Sequence, residues 1–201
     1  MTSQSGIPKF VYWIIPSVAA LAIVATVVIN WAESSRSKLP VFGALTNLDL
    51  VERSGKPLTL ADLKGRVHVV DFFFSNCKGA CPIMSARMAD LYHLYDDSSI
   101  VGFLSISVDP DRDSLEVLKR YALEHGVTDN RWLFARGEMD SLRELLEKGF
   151  MLAADELPAA HPTKLILVDE KVQIRGYYAY DDSMSIKMLK THIRILARAI
   201  K

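Results

Sequence analysis

One stretch of the chain, residues 66–82, limits what the rest can fold into. Residues 67–74 are mostly β-branched or aromatic, which is typical of a strand buried on both faces of a parallel sheet. A short polar loop follows, and Pro82 then suits the first position of a helix because its φ is already helical. Cys77 and Cys81 are therefore predicted at the carboxyl end of a central strand, where open α/β sheets build their sites.

These two cysteines are the only ones among the 201 residues. A structural disulfide, or a pair of small buried side chains, is one interpretation, but a chain of this length can bury a core without a staple. The start of a helix favours a thiolate, and Lys78 should lower the thiol pKa of Cys77 further. Gly79 allows the loop to turn so that both sulfurs face one point. Two converging thiolates at Cys77 and Cys81 can form a redox-active disulfide or hold a soft metal.

The amino-terminal part of the chain carries a long apolar segment. Residues 11–29 contain no charged side chain and would span about 28 Å as a helix, close to the thickness of a hydrocarbon core. Tyr12, Trp13 and Trp31 flank this segment as interfacial aromatic residues do. A cleavable signal peptide is the alternative, but no clear Ala-x-Ala cleavage site follows. We predict a single transmembrane anchor over residues 11–31, whose orientation the flanking charges leave open.

The remaining boundaries follow from this anchor. We predict a short tail over residues 1–10, a polar linker over residues 32–40 and one soluble domain over residues 41–201. The chain has 24 basic and 24 acidic residues, so its net charge of zero gives no sign of a nucleic-acid surface.

The soluble domain alternates strands with helices. In order we predict a hairpin within residues 45–60, a strand over 67–74, a helix over 82–95, a strand over 100–108, a helix over 113–126, a strand over 132–135, a helix over 140–150, a hairpin over 164–178 and a helix from residue 183. This order indicates an α/β, thioredoxin-like fold with an amino-terminal hairpin extension.

The acidic run at residues 109–113 invites a calcium-loop interpretation. That interpretation fails because Ser114 stands where the loop needs glycine and Arg120 where it needs a bidentate glutamate. We predict instead that Asp113 is the N-cap of the following helix and that Glu116 completes a capping box.

One of the five histidines has no obvious structural role. His161 lies in residues 159–163, directly before the predicted strand at residue 164, in a loop that thioredoxin-like folds place beside the helix with the cysteines. Two thiolates and one imidazole form a three-coordinate set suited to copper, with Cu(I) favoured by the sulfurs. Zinc would normally require a fourth ligand. Met84 and Met88 are further candidate ligands, but methionines at helical spacing more often fill a core.

Over nearly all of residues 41–180, the sequence resembles the Sco/SenC family. The residues that carry the resemblance are Cys77-Lys-Gly-Ala-Cys81-Pro82, Ser107-Val-Asp-Pro-Asp-Arg-Asp113, Arg131-Trp-Leu-Phe134, and the histidine before Leu167-Val-Asp169 with Arg175-Gly-Tyr-Tyr178. These are membrane-anchored copper proteins that serve the assembly of cytochrome c oxidase. The resemblance implies one copper ion bound through Cys77, Cys81 and His161.

The resemblance also implies a partner and a location. The partner would be the copper-site subunit of the oxidase or another cuproprotein. The soluble domain would lie outside the cytoplasm, on the periplasmic side of a bacterial inner membrane or in the mitochondrial intermembrane space.

Two positions depart from the pattern of many family members, which have proline in place of Lys78 and serine in place of Pro162. His161-Pro162-Thr163 is instead similar to the cis-proline loop of thioredoxins. We therefore predict a cis bond between His161 and Pro162, which would aim the imidazole at the sulfurs.

A second function is consistent with the same residues. Asp71 lies six residues before the first cysteine, a spacing similar to that of the buried proton-accepting aspartate of thioredoxins. The alternative is therefore a thiol–disulfide oxidoreductase that reduces cysteines of a partner and is itself served by a thiol reductant. The two functions are compatible, since a dithiol must be reduced before it takes up Cu(I). The residues leave open whether the protein is an enzyme.

A third possibility is a non-catalytic docking module. The last predicted helix has a basic stripe on the side opposite its apolar face. This stripe includes Lys187, Lys190 and Arg194. A solvated face explains such a stripe, and an acidic partner or anionic lipid is the alternative.

Overall fold

A computed structural model of the protein describes residues 18–28, 39–159 and 161–200. The chain divides into two compact units, Met1–Leu39 and Pro40–Lys201. In the first unit, residues 18–28 form a helix, α1, whose side chains are exposed.

The predicted membrane anchor, residues 11–31, extends beyond the described residues at both ends. The predicted tail, residues 1–10, lies outside them, as does most of the predicted linker, residues 32–40. Within the described ranges, no helix is both long and apolar enough to cross a bilayer. The anchor therefore stays a prediction from the sequence.

The second unit is built on one eight-stranded sheet with the order β1-β8-β7-β4-β5-β6-β2-β3. The strands are β1 (Gly43–Ala44), β2 (Leu50–Glu52), β3 (Pro57–Leu58), β4 (Val67–Phe73), β5 (Val101–Ser107), β6 (Trp132–Arg136), β7 (Lys164–Val168) and β8 (Gln173–Ala179). At the centre, β4 runs parallel to β5 and antiparallel to β7, and β5 runs parallel to β6.

Short and long helices connect these strands. They are α2 (Leu60–Leu63), α3 (Cys81–Leu94), α4 (Leu115–Glu124), α5 (Met139–Glu144) followed by a π-helical turn (Leu145–Gly149), and α6 (Ser183–Ala199). Contacts join α3 to α4 through Ser85 and Tyr121, and α3 to α6 through the Tyr95 hydroxyl, which donates to the Lys190 carbonyl. Helix α3 therefore contacts both α4 and α6.

All seven residues of β4 are buried, as its sequence predicts. Phe73 stacks on Tyr121 of α4, with ring centroids 4.7 Å apart, while its neighbour Phe72 packs edge-on against Phe150 at 5.1 Å. Because consecutive side chains of a strand point to opposite faces, both faces of β4 are covered. The loop that follows β4 is thus held at the end of a rigid strand.

The predicted hairpin extension is confirmed in β2 and β3, where Leu50 pairs with Leu58 and Gly55 turns the chain with a φ of 87°. Strand β1 pairs instead with β8, at the opposite side of the sheet from β3. The helix predicted over residues 140–150 does not continue as one α-helix, because its second half is the π-helical turn. That turn leads into Phe150, which is fully buried.

The prediction that Asp113 caps α4 is wrong. The N-cap is Ser114, whose hydroxyl accepts a hydrogen bond from the Val117 amide at 3.3 Å. The side chain of Asp113 is instead fully buried and accepts hydrogen bonds from Ser75 and Ser107. These partners lie 38 and six residues away in sequence, and they bind the carboxylate in place of the amides at the start of α4.

Candidate metal centre

The two cysteines lie where the sequence places them, at the carboxyl end of β4 and the start of α3. Cys81 is the first residue of α3, with Pro82 directly after it, and Cys77 lies in the preceding loop. The Cys77 amide donates to the Phe74 carbonyl at 3.2 Å and so ties the loop to the end of the strand. Cys81 is buried and Cys77 is half-buried, and both are free thiols.

His161 reaches the same point from β7. Because β7 is antiparallel to β4, the residues that precede β7 lie beside the carboxyl end of β4. His161 Nε2 is 3.2 Å from Cys81 Sγ and 4.0 Å from Cys77 Sγ. The other ring nitrogen, Nδ1, lies 3.2 Å from the Pro162 carbonyl oxygen, and Phe74 contacts the ring at a centroid distance of 5.4 Å.

The prediction of a cis bond between His161 and Pro162 is wrong. Among the described residues, the cis peptide bond is the one between Leu157 and Pro158. His161 nevertheless contacts both cysteines, so the direction of the antiparallel strand β7 is sufficient to deliver the imidazole. A cis bond is therefore not what directs the imidazole, although the three predicted ligands do lie close together.

The three ligand atoms are close enough to hold one ion. Cys77, Cys81 and His161 each offer one ligand atom, and these atoms lie within 4.8 Å of one another. Three ligands at about 2.3 Å from a central ion would be about 4 Å apart in a trigonal arrangement. The donor set of two sulfurs and one imidazole fits copper, and Cu(I) in particular. Met84 and Met88 are fully buried and serve as core residues, as the sequence favours.

The SCO1/SenC family model matches residues 44–197, which is more than half of the chain. The chain belongs to the SCO1/SenC family.

Known members of the family resemble the chain in sequence and in fold. The SCO1 protein homolog of Bacillus subtilis (strain 168) is 37% identical over 100 residues, which are 49% of this chain and about half, 52%, of that protein. BsSco, a member of the Sco family of cytochrome c oxidase assembly proteins with an identified disulfide switch, gives a TM-score of 0.70 at 23% identity, covering 80% of this chain and 98% of BsSco.

A third comparison is with a copper-bound protein. The structure of Arabidopsis thaliana ScoI with copper bound gives a TM-score of 0.63 at 18% identity, and covers 75% of this chain and 98% of that one. At such identities the two structural likenesses show the fold alone. They confirm the α/β, thioredoxin-like architecture predicted from the order of strands and helices.

The environment of this Sco-type site separates the two thiols. Burial raises the pKa of Cys77, but hydrogen bonds from the Cys81 side chain and from the amides at the start of α3 outweigh it, so the net pKa is lowered. Burial, together with the neighbouring Cys77, raises the pKa of Cys81 far above its ordinary value. The lowered pKa follows from the helix start, as predicted, with the amides of residues 79–81 as donors rather than Lys78.

The imidazole is tuned toward its neutral form. His161 is only 7% exposed, and burial lowers its pKa although the carbonyls of Pro162 and Phe72 oppose the shift. A neutral imidazole has a lone pair available for a metal, whereas imidazolium does not. The site therefore offers a neutral nitrogen and one readily formed thiolate before any metal arrives.

We predict that Cys77 reacts with iodoacetamide well before Cys81 in the reduced protein. Cys77 is the more exposed thiol and its pKa is lowered, while that of the buried Cys81 is raised. The alkylation rate of Cys77 should therefore reach half its maximum at a pH below about 8.5, the value for a free cysteine. Mass spectrometry of timed, quenched samples over pH 5–10 measures both rates, and faster labelling of Cys81 would contradict the assignment.

Asp71 lies on the same strand as the site and is buried, as the sequence favours. The Ser105 hydroxyl donates to Asp71 Oδ1 at 2.5 Å, and Trp132 Nε1 donates to the Ser105 hydroxyl at 2.9 Å. The second oxygen, Oδ2, is buried without a hydrogen-bond partner among the described residues. Burial raises the pKa of Asp71 to about 7, although the Ser105 hydrogen bond opposes the shift.

Sequence reasoning missed Ser105 as the partner of this carboxyl group. The available signal was register, because Asp71 and Ser105 are paired across the parallel strands β4 and β5. Paired residues on adjacent strands point to the same face of a sheet. A serine in a strand as apolar as β5 is the kind of residue that such a buried carboxyl group needs.

Proposed function

We propose that the protein binds one copper ion through Cys77, Cys81 and His161 and delivers it to the copper site of cytochrome c oxidase or of another cuproprotein. The observation that carries the proposal is the convergence of two free thiols and one buried imidazole within 4.8 Å. Membership of the SCO1/SenC family supports it. The partner we propose is therefore the copper-site subunit of the oxidase or another cuproprotein.

The difference in burial among the ligands favours transfer over permanent storage. Cys81 is 1% exposed and His161 is 7% exposed, whereas Cys77 is half-buried at the surface of the site. A partner thiolate or imidazole would therefore meet the copper on the side of Cys77. Copper would pass by ligand exchange, with Cys77 released first and the two buried ligands last.

We also propose that this delivery takes place outside the cytoplasm, at a membrane. The support is the uncharged segment at residues 11–29, whose length matches a hydrocarbon core, together with the resemblance to membrane-anchored proteins. The domain over residues 41–201 would then work on the periplasmic side of a bacterial inner membrane, or in the mitochondrial intermembrane space.

Copper stoichiometry tests the proposal directly. The reduced protein should bind about one copper per chain, and the protein with a Cys77–Cys81 disulfide should bind none, because a disulfide sulfur is not a thiolate. His161→Ala should weaken Cu(II) binding more than Cu(I) binding, because imidazole matters most to the harder ion. Competition with a chelator of known affinity measures each case. Equal copper retention by the oxidised protein would contradict the proposal.

Asp71 favours a second function, the reduction of a partner disulfide. The Cys77 thiolate would attack the partner disulfide, forming a mixed disulfide and releasing one partner thiolate. Asp71 would take the proton of the Cys81 thiol, and the Cys81 sulfur would then attack Cys77. The products are a fully reduced partner and a Cys77–Cys81 disulfide, so two electrons move to the partner and a thiol reductant must restore the pair.

A further inference from the structure

A buried carboxylate connects the loop of Cys77 to the rest of the sheet edge. Asp113 is 0% exposed, and its Oδ2 accepts hydrogen bonds from the Ser75 amide at 3.1 Å and from the Ser107 hydroxyl at 2.5 Å. The Ser75 hydroxyl donates to the other oxygen, Oδ1. Ser75 is two residues before Cys77, and Ser107 is the last residue of β5. One side chain thus joins the cysteine loop to the neighbouring strand.

The backbone around Asp113 is fixed as well. Its amide donates to the Asp109 carbonyl at 2.9 Å, and its carbonyl accepts from Arg136, the last residue of β6, at 3.3 Å. Strands β5 and β6 and the turn at residues 109–113 therefore hold the carboxylate in place. Because the carboxylate is already fixed, no conformational entropy of its own side chain is lost when it binds Ser75, and it can therefore position the loop of Cys77.

All the donors to the carboxylate are neutral. In the described part of the chain, no lysine, arginine or histidine nitrogen lies within ion-pair distance of the Asp113 carboxylate. A hydrogen bond to a charged acceptor is about twice as strong as one between neutral groups. The buried carboxylate is therefore stabilised chiefly by the two serines, and Ser75 provides three of its four hydrogen bonds. This dependence couples the carboxylate to the position of the cysteine loop.

Asp109 shows that burial in this turn does not require such a role. It lies four residues earlier and is 5% exposed, but its carboxylate pairs with Arg112 at 3.0 Å. Its side chain makes no described contact with the loop of Cys77. Asp109 and Asp113 thus form a matched pair of buried carboxylates in one turn, of which one contacts the loop.

We propose that Asp113 is a positioning residue for the metal site, which holds Cys77 at the distance from Cys81 and His161 that one ion or one disulfide requires. The part of the proposal that concerns copper binding rests on the proposed function, whereas the part that concerns the Cys77–Cys81 disulfide does not. For both, the Cys77 sulfur must stay near the buried Cys81. Releasing Ser75 would free the loop and make that arrangement cost conformational entropy.

The test compares Asp113→Asn with Asp109→Asn in the full chain. Asparagine keeps the size of the side chain but replaces one acceptor oxygen with an NH2 group, in a pocket where Ser75 and Ser107 already donate. We expect Asp113→Asn to weaken Cu(I) binding by about ten- to hundredfold, as is usual for residues that orient ligands. Asp109→Asn should leave the affinity unchanged. Competition with a Cu(I) chelator, at a temperature where circular dichroism shows both variants folded, measures the two affinities.

The second arm needs no copper. Equilibrating each variant with a dithiol buffer gives the equilibrium constant for the Cys77–Cys81 disulfide. We expect Asp113→Asn to lower it about tenfold, which raises the reduction potential by about 30 mV for a two-electron couple. Global destabilisation alone would not move this potential while the protein stays folded. If the wild-type protein bound no copper, the proposed function would fail, and the disulfide equilibrium would still decide the role of Asp113.

Ser75→Ala keeps the proposal testable if Asp113→Asn does not fold. This variant removes one hydroxyl of a half-buried residue and keeps the hydrogen bond from the backbone amide of residue 75 to Asp113. We expect a smaller loss of Cu(I) affinity, about threefold, consistent with one hydrogen bond. Unchanged affinity and unchanged potential in Asp113→Asn, or in Ser75→Ala where the first does not fold, would overturn the proposal. Equal losses in Asp109→Asn would overturn it too.

Discussion

Replacing both Cys77 and Cys81 by serine should abolish copper binding by the folded protein. The double variant keeps His161, but a single neutral imidazole in a buried pocket is a poor site for Cu(I), which prefers thiolate ligands. A serine hydroxyl stays protonated at neutral pH and does not replace the lost charge. We expect the copper bound per chain to fall from about one to near zero after dialysis against a chelator.

The control for this experiment is a surface histidine. His93 lies on the exposed side of α3, away from the ligand set, so His93→Ala should keep full copper binding. Because Cys81 is buried, serine there adds a hydroxyl that needs a partner, and thermal unfolding of the variant must be measured beside its copper content. Alanine at both cysteines avoids that hydroxyl and should give the same loss. Full retention of copper by a folded double variant would show that the cysteines are not the ligands.

The cysteines could be predicted from the sequence because their placement depends on local signals. The apolar run of β4 and the proline at position 82 mark the end of a strand and the start of a helix, and Cys77 and Cys81 stand between them. His161 required one more step, the fold itself. Once β7 is taken as antiparallel to β4, the loop that leads into β7, which contains His161, must lie near the cysteines.

The errors have a common physical origin in long-range contacts. For Asp113, local capping rules offered one hydrogen-bond partner, but Ser75 is 38 residues away in sequence and gave a better one. Similarly, the expected cis bond at Pro162 came from a likeness to another family, while the backbone path into β7 depends on the whole loop that precedes it. Sequence patterns predict interactions between residues that are close along the chain well, and those between distant residues poorly.

Replacing Asp71 by asparagine should stabilise the reduced, copper-free protein at alkaline pH. Burial raises the pKa of Asp71 to about 7, whereas an aspartate in the unfolded chain titrates at about 3.9. Between these values the folded state keeps a proton that the unfolded state has lost. The wild-type free energy of unfolding therefore falls as pH rises from about 4 to about 7, and the lost stability is not regained above pH 7.

Asparagine does not titrate, so the Asp71→Asn variant lacks this fall. Its free energy of unfolding should match that of the wild type near pH 4 and exceed it by about 2–4 kcal/mol at pH 8, since one pKa unit corresponds to about 1.4 kcal/mol. Urea unfolding of both proteins at each pH measures the difference, in which the contributions of other titrating groups cancel. A difference that stays constant from pH 4 to pH 8 would show that Asp71 titrates normally.

The same variant connects stability to function. The second oxygen of Asp71 is buried without a hydrogen-bond partner in the described part of the chain, and this costs stability. A group with a pKa of about 7 can both accept and return a proton at neutral pH. If Asp71 serves the Cys81 thiol, Asp71→Asn should slow the second step of disulfide exchange, in which Cys81 attacks the mixed disulfide at Cys77. The first step, attack by Cys77, should keep its rate because that thiolate forms without Asp71. If both steps slowed equally, or if neither slowed, Asp71 would have no specific role at the Cys81 thiol, and its effect would be on stability alone.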